Sequence, residues 1–559
     1  MRQPFATLEA AALALRSGSV SSSELVSAAH EDADVLDPLL GVYLARFTEE
    51  SLSAARTADA LPAAERTLLH GLPLAIKDNI AAGEGPVTAQ SPAHDAGWWR
   101  GADAPAVAAL RSAGAVVLGK TTMAEYAMGR PDPAHDFPVP RNPWDTDRWT
   151  GGSSCGNGAG LATGLFLGAL GSDTSGSVRL PAALCGATGL KTTFGLIPLD
   201  GCLPLSPSQD VLGPMAVTAR DCALLLAALL GRTDPGAPVA DRAQRPFGSS
   251  ASFASARAKG ADTKGGSAAL TAELAEQLTA LLSAPGDAAD LRGVRIGVPH
   301  ELIDGAGATD GCLTAFRSAL LDLRRLGAQV EEFALPEFHG LALVNGTTML
   351  AEAFAAHGER LAALWGDHGR AFRRLAAVGA FVPAHRYLSA QQSRSRLTAA
   401  IRARMAAASI DLIATPTWPA PARPYADEAL PGREFNFTAA WNATDFPALA
   451  LPMGSESGLP LSLQLIGLPW SEPALLAVGA AYQAATPWHL RRAAPDGSHV
   501  PEPLPDPDSG RVPQPADRDR PPVSPSSPAA VLASLGITPD PTDLSVISGI
   551  VQGLSGLGA

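Results

Sequence analysis

An α/β fold is what the sequence predicts, on three observations. The stretch DAPAVAALRSAGAVVLGKTT (103–122) reads as a helix feeding directly into a short apolar strand. Further short apolar runs recur along the chain, in GLPLAIKDNI (71–80), DLIATPT (411–417), FPALALP (446–452) and LPLSLQLIG (459–467). Helical patterns separate them, and a hydrophobic fraction of 46% with 17% charged residues suits a soluble globular core.

The elements follow in order. Residues 8–16 and 21–34 read as helices, the second opened by a capping box of Ser21 and Glu24. The strand in 71–80 ends at Lys77-Asp78-Asn79. In 103–122 Asp103 is the expected N-cap, Pro105 lies near the first turn, Gly114 stops the helix and AVVL (115–118) is the strand. NGAGLATGLFLGAL (157–170) reads as one helix of small residues, and GSDTSGSVRLP (171–181) as a loop. TARDCALLLAALLG (218–231) is a strongly apolar helix. Residues 233–290 lose periodicity and turn rich in Ala, Gly, Ser and Pro, an inserted low-complexity segment, disordered at least in part. Order returns with a strand in LRGVRIGVP (291–299), helices to about 405, the late strands named above, and a closing helix in EPALLAVGAAYQAAT (472–486). The main domain is therefore 1–495. Ten prolines in 501–528 make 496–530 an extended linker. The tail 531–559 is short and helical or disordered. Ile547, Ile550, Val551 and Leu554 share one helical face there, for docking on the chain itself or on a partner.

Bulk composition removes several function classes. The formal net charge of −13 argues against nucleic acid or an anionic membrane as partner. Five cysteines, odd in number and without a C-x-x-C pair, argue against a disulfide framework or a zinc site. Glu9 interrupts the apolar N-terminal pattern, so no signal peptide is expected. No window holds 18 apolar residues, and a cytoplasmic soluble protein is the expectation. Lysine is scarce. Lys77, Lys120, Lys191, Lys259 and Lys264 are the five, against 37 arginines. A lysine retained at an apolar strand end is a candidate for an amine that must lose its proton, which guanidinium cannot do.

The segment GGSSCGNGAGLATGLFLGALGSDTSGSVRLP (151–181) gathers five serines and one cysteine among glycines, with one Asp and one Arg. Gly152-Ser153-Ser154-Cys155-Gly156 matches G-x-S-x-G, but RNPWDTDRWTG before it does not read as the strand that a nucleophile elbow requires. The eleven histidines are scattered, so a Ser-His-Asp triad has no placed base. Cys155 reads as a small core cysteine. Taken alone, Lys77 also fits an ordinary strand-end lysine, and Ser153 and Ser154 ordinary turn serines.

The chain resembles the amidase signature family. The resemblance is carried by LPLAIKDNI (72–80), VVLGKTTMAEYAMG (116–129), RNPWDTDRWTGGSSCGNGAG (141–160), LGSDTSGSVRLPAALCGATGLKTTFGLIP (170–198) and DVLGPMAVTARDCALLL (210–226), in the family's order. It covers about residues 5–490. Cys155 and Asn157 stand where glycine and serine are commoner, and Ser175 where glycine is frequent.

The resemblance implies a central mixed β-sheet surrounded by α-helices, and hydrolysis of a carboxylic amide to carboxylate plus ammonia or amine. It implies Lys77 as general base, Ser153 as the cis-serine relay, which also contacts substrate, and Ser177 as the nucleophile that forms the acyl-enzyme. The loop Thr174-Ser175-Gly176-Ser177 then supplies backbone N–H groups to an oxyanion hole. Ser154, Asp173 and Arg179 support the site, Met128 lines the acyl pocket, and Lys120 and Lys191 are not the base. No metal or organic cofactor is implied. The expected partner is a small-molecule amide, and a homodimer is compatible with it. One alternative is the glutaminase-like component of a tRNA-dependent amidotransferase, against which Phe435 stands where those proteins carry an acidic residue. Another is a related carbamate, ester or urea-type substrate, and a non-catalytic scaffold is a third. Because the resemblance ends near 490, residues 496–559 are expected to be dispensable for chemistry.

Overall fold

The computed structural model describes residues 5–62, 65–231, 268–284, 290–426, 436–495 and 527–556. Its centre is one sheet built from β1 (Tyr43–Arg46), β2 (Pro73–Lys77), β3 (Val116–Thr121), β4 (Gly168–Asp173), β5 (Thr188–Lys191), β6 (Val211–Ala216), β7 (Arg295–Val298), β8 (Gln329–Glu332), β9 (Leu412–Pro416), β10 (Ala448–Glu456) and β11 (Leu459–Gly467). The strand order is β1-β3-β2-β4-β6-β5-β10-β11-β9-β7-β8. Pairing is parallel for β3-β2, β2-β4, β9-β7 and β7-β8, and antiparallel elsewhere. The expected mixed sheet wrapped by helices is thus present. Among the described residues no helix is long and apolar enough to cross a membrane.

Local chemistry explains the helix starts. Ser21 and Glu24 form the expected capping box, and the helix Ser22–Leu40 outruns the expected 21–34, carrying Pro38 in its last turn. Thr218 and Asp221 form a second box at Ala219–Leu229. Asp103 is not an N-cap. Ala104, held extended before Pro105, takes that place, and Asp103 instead accepts from the Gly83 N–H and pairs with Arg111.

Three boundaries differ from the sequence reading. The stretch 157–170 is not one helix: Cys155–Thr163 is helical, Gly164 at φ +80° ends it, and residues 168–173 form β4. The loop expected over 171–181 therefore begins in a strand and ends in the helix Arg179–Cys185. Within the expected insertion 233–290, Ala268–Ser283 is a helix whose Leu274, Leu278 and Leu281 are buried in the main core. Residues 233–267 and 285–289 lie outside the described residues. β1, β5, β6 and β8 have no counterpart among the expected strands.

The tail docks on its own chain. Pro528–Ser534 and Pro541–Gly556 are helices, and Leu532, Ile537 and Ile547 join the main core. Ile550 and Val551 pack partly buried against it. Asp543 pairs with Arg373 at 2.7 Å and with Arg374 at 2.5 Å, both on the helix Arg370–Val378. The expected linker, apart from residues 527–530, and the side chain of Leu554 lie outside the described residues.

Candidate active site

Strand β2 runs between β3 and β4 with every residue buried, and its last residue is Lys77. Its Nζ lies 2.7 Å from Ser153 Oγ, 2.8 Å from Ser172 Oγ and 3.3 Å from the Ser172 carbonyl. Burial pushes the amine down to about 8. Lys120 and Lys191 are also fully buried and also lowered, Lys191 to about 7 by burial and then by the Arg179 charge. A depressed amine therefore does not set Lys77 apart from the other two; its partners do. Lys191 donates to the Thr192 carbonyl and Lys120 faces Asp78, whereas Lys77 alone of the three meets serine hydroxyls.

Ser153 follows a cis peptide bond from Gly152. Gly151 precedes it at φ +80°, and a Cβ there would come within 2.7 Å of the Leu180 carbonyl oxygen, so only glycine fits. The Ser154 N–H donates to the Ser177 carbonyl, and its Oγ reaches the Ser172 carbonyl at 3.4 Å. Ser154 thus ties the segment around Ser153 to those of Ser172 and Ser177. The Ser153 carbonyl accepts from the Ala124 N–H, which anchors the segment leading to Met128. Met128 itself is buried, 3% exposed, after the tight turn Glu125–Ala127.

Ser177 begins the turn into the helix Arg179–Cys185 and is 8% exposed. Among the described residues its Oγ has no hydrogen-bond partner, so the link from Ser177 to Ser153 is not closed. Asp173 and Arg179 brace the loop between them. The Arg179 Nε and Nη2 each lie 3.0 Å from an Asp173 carboxylate oxygen, with both side chains fully buried. Burial raises the Asp173 carboxyl, but the Arg179 charge and hydrogen bonds outweigh it and hold the group well below the usual range. The same carboxylate accepts from the N–H groups of Gly176 and Val178. One of the four N–H groups expected to face the oxyanion, that of Gly176, is thus held by Asp173 at 2.7 Å.

Sequence reasoning missed several participants. Ser172 bridges Lys77 and Asn79. Asn442 donates to the Asp173 carbonyl and accepts from Arg179, and Gln464 also accepts from Arg179. Asn345 meets Thr174 and Ser175, and Asp210 accepts from the Thr174 hydroxyl. Ser172 had one available signal, its place next to Asp173 in the motif LGSDTSGSVRLP. Cys155 is fully buried and its thiol is pushed up to about 11 by burial, which fits a core cysteine. Phe435 lies outside the described residues. No group of three or more His, Cys, Asp or Glu among the described residues is arranged to hold a metal ion.

Comparison with known proteins agrees with this arrangement. The amidase family matches residues 24–262 and 265–476. The glutamyl-tRNA(Gln) amidotransferase A-type chain of Chloroflexus aggregans is 33% identical over 524 residues, covering 87% of this chain and 98% of that protein. The same-named chain of Moorella thermoacetica is 32% identical, covering 85% and 95%. Among solved structures, the peptide amidase of Stenotrophomonas maltophilia superposes with a TM-score of 0.68 at 29% identity, over 88% of this chain and 98% of that one. The glutamyl-tRNA(Gln) amidotransferase A-type chain of Thermotoga maritima gives 0.61 at 26%, over 82% and 90%. With the sheet, the serine-rich loop and the buried lysine all in place, the chain belongs to the amidase signature family and is an enzyme of amide hydrolysis or amidation.

Proposed function

We propose that this chain hydrolyses a carboxylic amide through an acyl-enzyme on Ser177, with Ser153 as relay and Lys77 as general base. The observation that carries the reading is the Lys77 Nζ to Ser153 Oγ contact of 2.7 Å around an amine lowered by burial. A neutral amine offers two N–H donors and one lone pair. The Ser172 carbonyl can only accept, and Ser172 Oγ is placed to accept a second N–H. The lone pair is then left for the Ser153 hydroxyl proton.

The reaction follows with its atoms balanced. Ser153 passes its proton to Lys77 and takes one from Ser177, whose Oγ forms a bond to the amide carbon. The carbonyl electrons move to oxygen, and the N–H groups of Thr174, Ser175 and Ser177 are the donors within reach of that charge. On collapse the C–N bond breaks and the leaving nitrogen takes the proton back through Ser153. Water then repeats the sequence on the ester and releases the carboxylate. Small residues in the loop let the substrate carbonyl approach the amides closely.

A second reading has one specific support: curated relatives over 30% identical are components of a glutamyl-tRNA(Gln) amidotransferase, so a protein partner that receives ammonia is the alternative to a free-standing amidase. The test uses the purified single chain against aliphatic, aromatic and amino-acid amides, with esters and carbamates included. Turnover of a small amide without any partner supports the first reading. Glutamine hydrolysis that appears only with added partner proteins supports the second. Mass spectrometry after a fluorophosphonate probe should place the adduct on Ser177, and an adduct on Ser154 or Cys155 would overturn the assignment.

A further inference from the structure

We propose that Asn345 is a positioning residue that aims the Ser175 N–H into the oxyanion site, an inference that rests on the acyl-enzyme reading above. A trans peptide is planar, so the C=O of one residue and the N–H of the next point in opposite directions. Holding a carbonyl from behind therefore aims the following N–H forward. The loop from Asp173 to Ser177 contains four such peptides, and each carbonyl has its own holder. Asn442 Nδ2 donates to the Asp173 carbonyl at 2.9 Å, which aims the Thr174 N–H. Asn345 Nδ2 donates to the Thr174 carbonyl at 2.9 Å, which aims the Ser175 N–H. Thr438 Oγ1 donates to the Ser175 carbonyl at 2.7 Å, and the N–H of that peptide, from Gly176, goes to Asp173. The Leu180 N–H donates to the Gly176 carbonyl at 2.7 Å, which aims the Ser177 N–H.

Asn345, like Thr438 and Asn442, stands outside the motifs that carry the family resemblance, and it comes from the long helix Phe338–Ala363. It is 1% exposed, and both its amide nitrogen and its amide oxygen have partners. Nδ2 also donates to Gln209 Oε1 at 2.7 Å, and Oδ1 accepts from Ser175 Oγ at 2.8 Å. Gln209 is oriented in turn by its Nε2, which donates to Ser206 Oγ and to the Asn345 carbonyl. These contacts fix which way the Asn345 amide faces. The Ser175 hydroxyl contributes one of them, which gives a physical role to serine at a position where the family often has glycine. Ser175 and Asn345 form a matched pair: the hydroxyl selects the amide orientation, and the amide holds the peptide that carries the Ser175 N–H.

The test compares the full-length wild type with Asn345→Asp, Asn345→Leu, Ser175→Ala and Ser177→Ala, using a fluorophosphonate probe whose P=O oxygen occupies the oxyanion site. Labelling rate is measured against probe concentration, with thermal melting in parallel. Removing an oxyanion donor costs about 10²–10³ in rate, and a misaimed one should cost about 10- to 100-fold. Asn345→Asp keeps the acceptor and removes the donor. Its limiting rate should fall by that amount while half-saturation stays within about twofold, a split that the lower melting expected of a buried carboxylate does not by itself give. Ser175→Ala should fall less, because the Thr174 carbonyl keeps its donor. A limiting rate within about threefold of wild type in the folded Asn345 variants overturns the inference. If both helix variants fail to fold, Ser175→Ala at its partly exposed position decides, and an unchanged rate there overturns it. Labelling of Ser177→Ala at the wild-type rate would instead sink the acyl-enzyme reading, so the two failures are distinct.

Discussion

Lys77 Nζ lies 2.7 Å from Ser153 Oγ, with the lysine fully buried and the serine nearly so. Burial makes the ammonium costly and brings the amine to about 8, so a large neutral fraction exists at mildly alkaline pH. Amide turnover should therefore rise with pH through about 8 and then level, since the base works only when unprotonated. The same shift makes the folded chain hold fewer protons than the unfolded chain between about 8 and 10.5, so this group's contribution to stability rises with pH across that window. Lys77→Arg should be nearly inactive despite its charge, and Lys77→Ala likewise, both with the fold intact by circular dichroism. The loss should be larger on an amide than on a matched activated ester, whose leaving group needs no proton. Near wild-type amide turnover by Lys77→Arg would show the lysine to be a charge and not a base.

Ser172 sits against the same amine, 2.8 Å from Lys77 Nζ, and also accepts from Asn79. Its oxygen favours the ammonium by accepting a hydrogen bond. Ser172→Ala should move the rising limb of the rate profile to lower pH and reduce the plateau by about tenfold through looser lysine placement. An unmoved limb with an unmoved plateau would remove Ser172 from the lysine's support.

What was legible in the sequence divides by range. β2 was readable because five consecutive residues are buried and no polar residue interrupts the run before Lys77. β4 was misread, 168–170 as the end of a helix of small residues and 171–173 as the start of a loop, because Gly168 and Gly171 interrupt its apolar run. They are there for close approach in the sheet: a Cβ on Gly168 would come within 2.7 Å of Leu8, and one on Gly171 within 2.9 Å of Ser154 Oγ. Lys77, Ser153 and Ser177 were named through their motifs. Asn345 and Asn442 were not, because their partners lie 171 and 269 residues away and leave no local pattern. The buried helix 268–283 hid in a low-complexity stretch for the same reason: its apolar face is defined only by the core it packs against.

Asp173 and Arg179 form a fully buried pair that shapes the loop carrying Ser177. Removing Arg179 leaves a buried carboxylate without its charge partner. Arg179→Ala should cost about 3–5 kcal/mol of stability by denaturant unfolding. Its activity should fall further than stability explains, because Asp173 also holds the N–H groups of Gly176 and Val178. A loss under about 1 kcal/mol would mean that the carboxylate is satisfied by its other donors alone.

The tail offers the sharpest contrast between what the sequence led us to expect and what packing adds. Residues 496–559 were expected to be dispensable for chemistry, and none of the residues placed around Ser177 comes from them. The docked helices nevertheless bury Leu532, Ile537 and Ile547, and Asp543 faces Arg373 and Arg374 with its own side chain fully buried. Truncation after Ala494 should therefore keep small-amide turnover within about threefold, which is about 0.7 kcal/mol of barrier, while melting several degrees lower. Asp543→Ala alone should cost about 1–3 kcal/mol, because two guanidinium groups lose a buried partner. Salt should change that cost little, since the pair is shielded from solvent. Loss of turnover in a truncated chain that still folds would show that the tail completes the site through the helix Arg370–Val378. An unchanged melting temperature would show that its docking adds nothing to the fold.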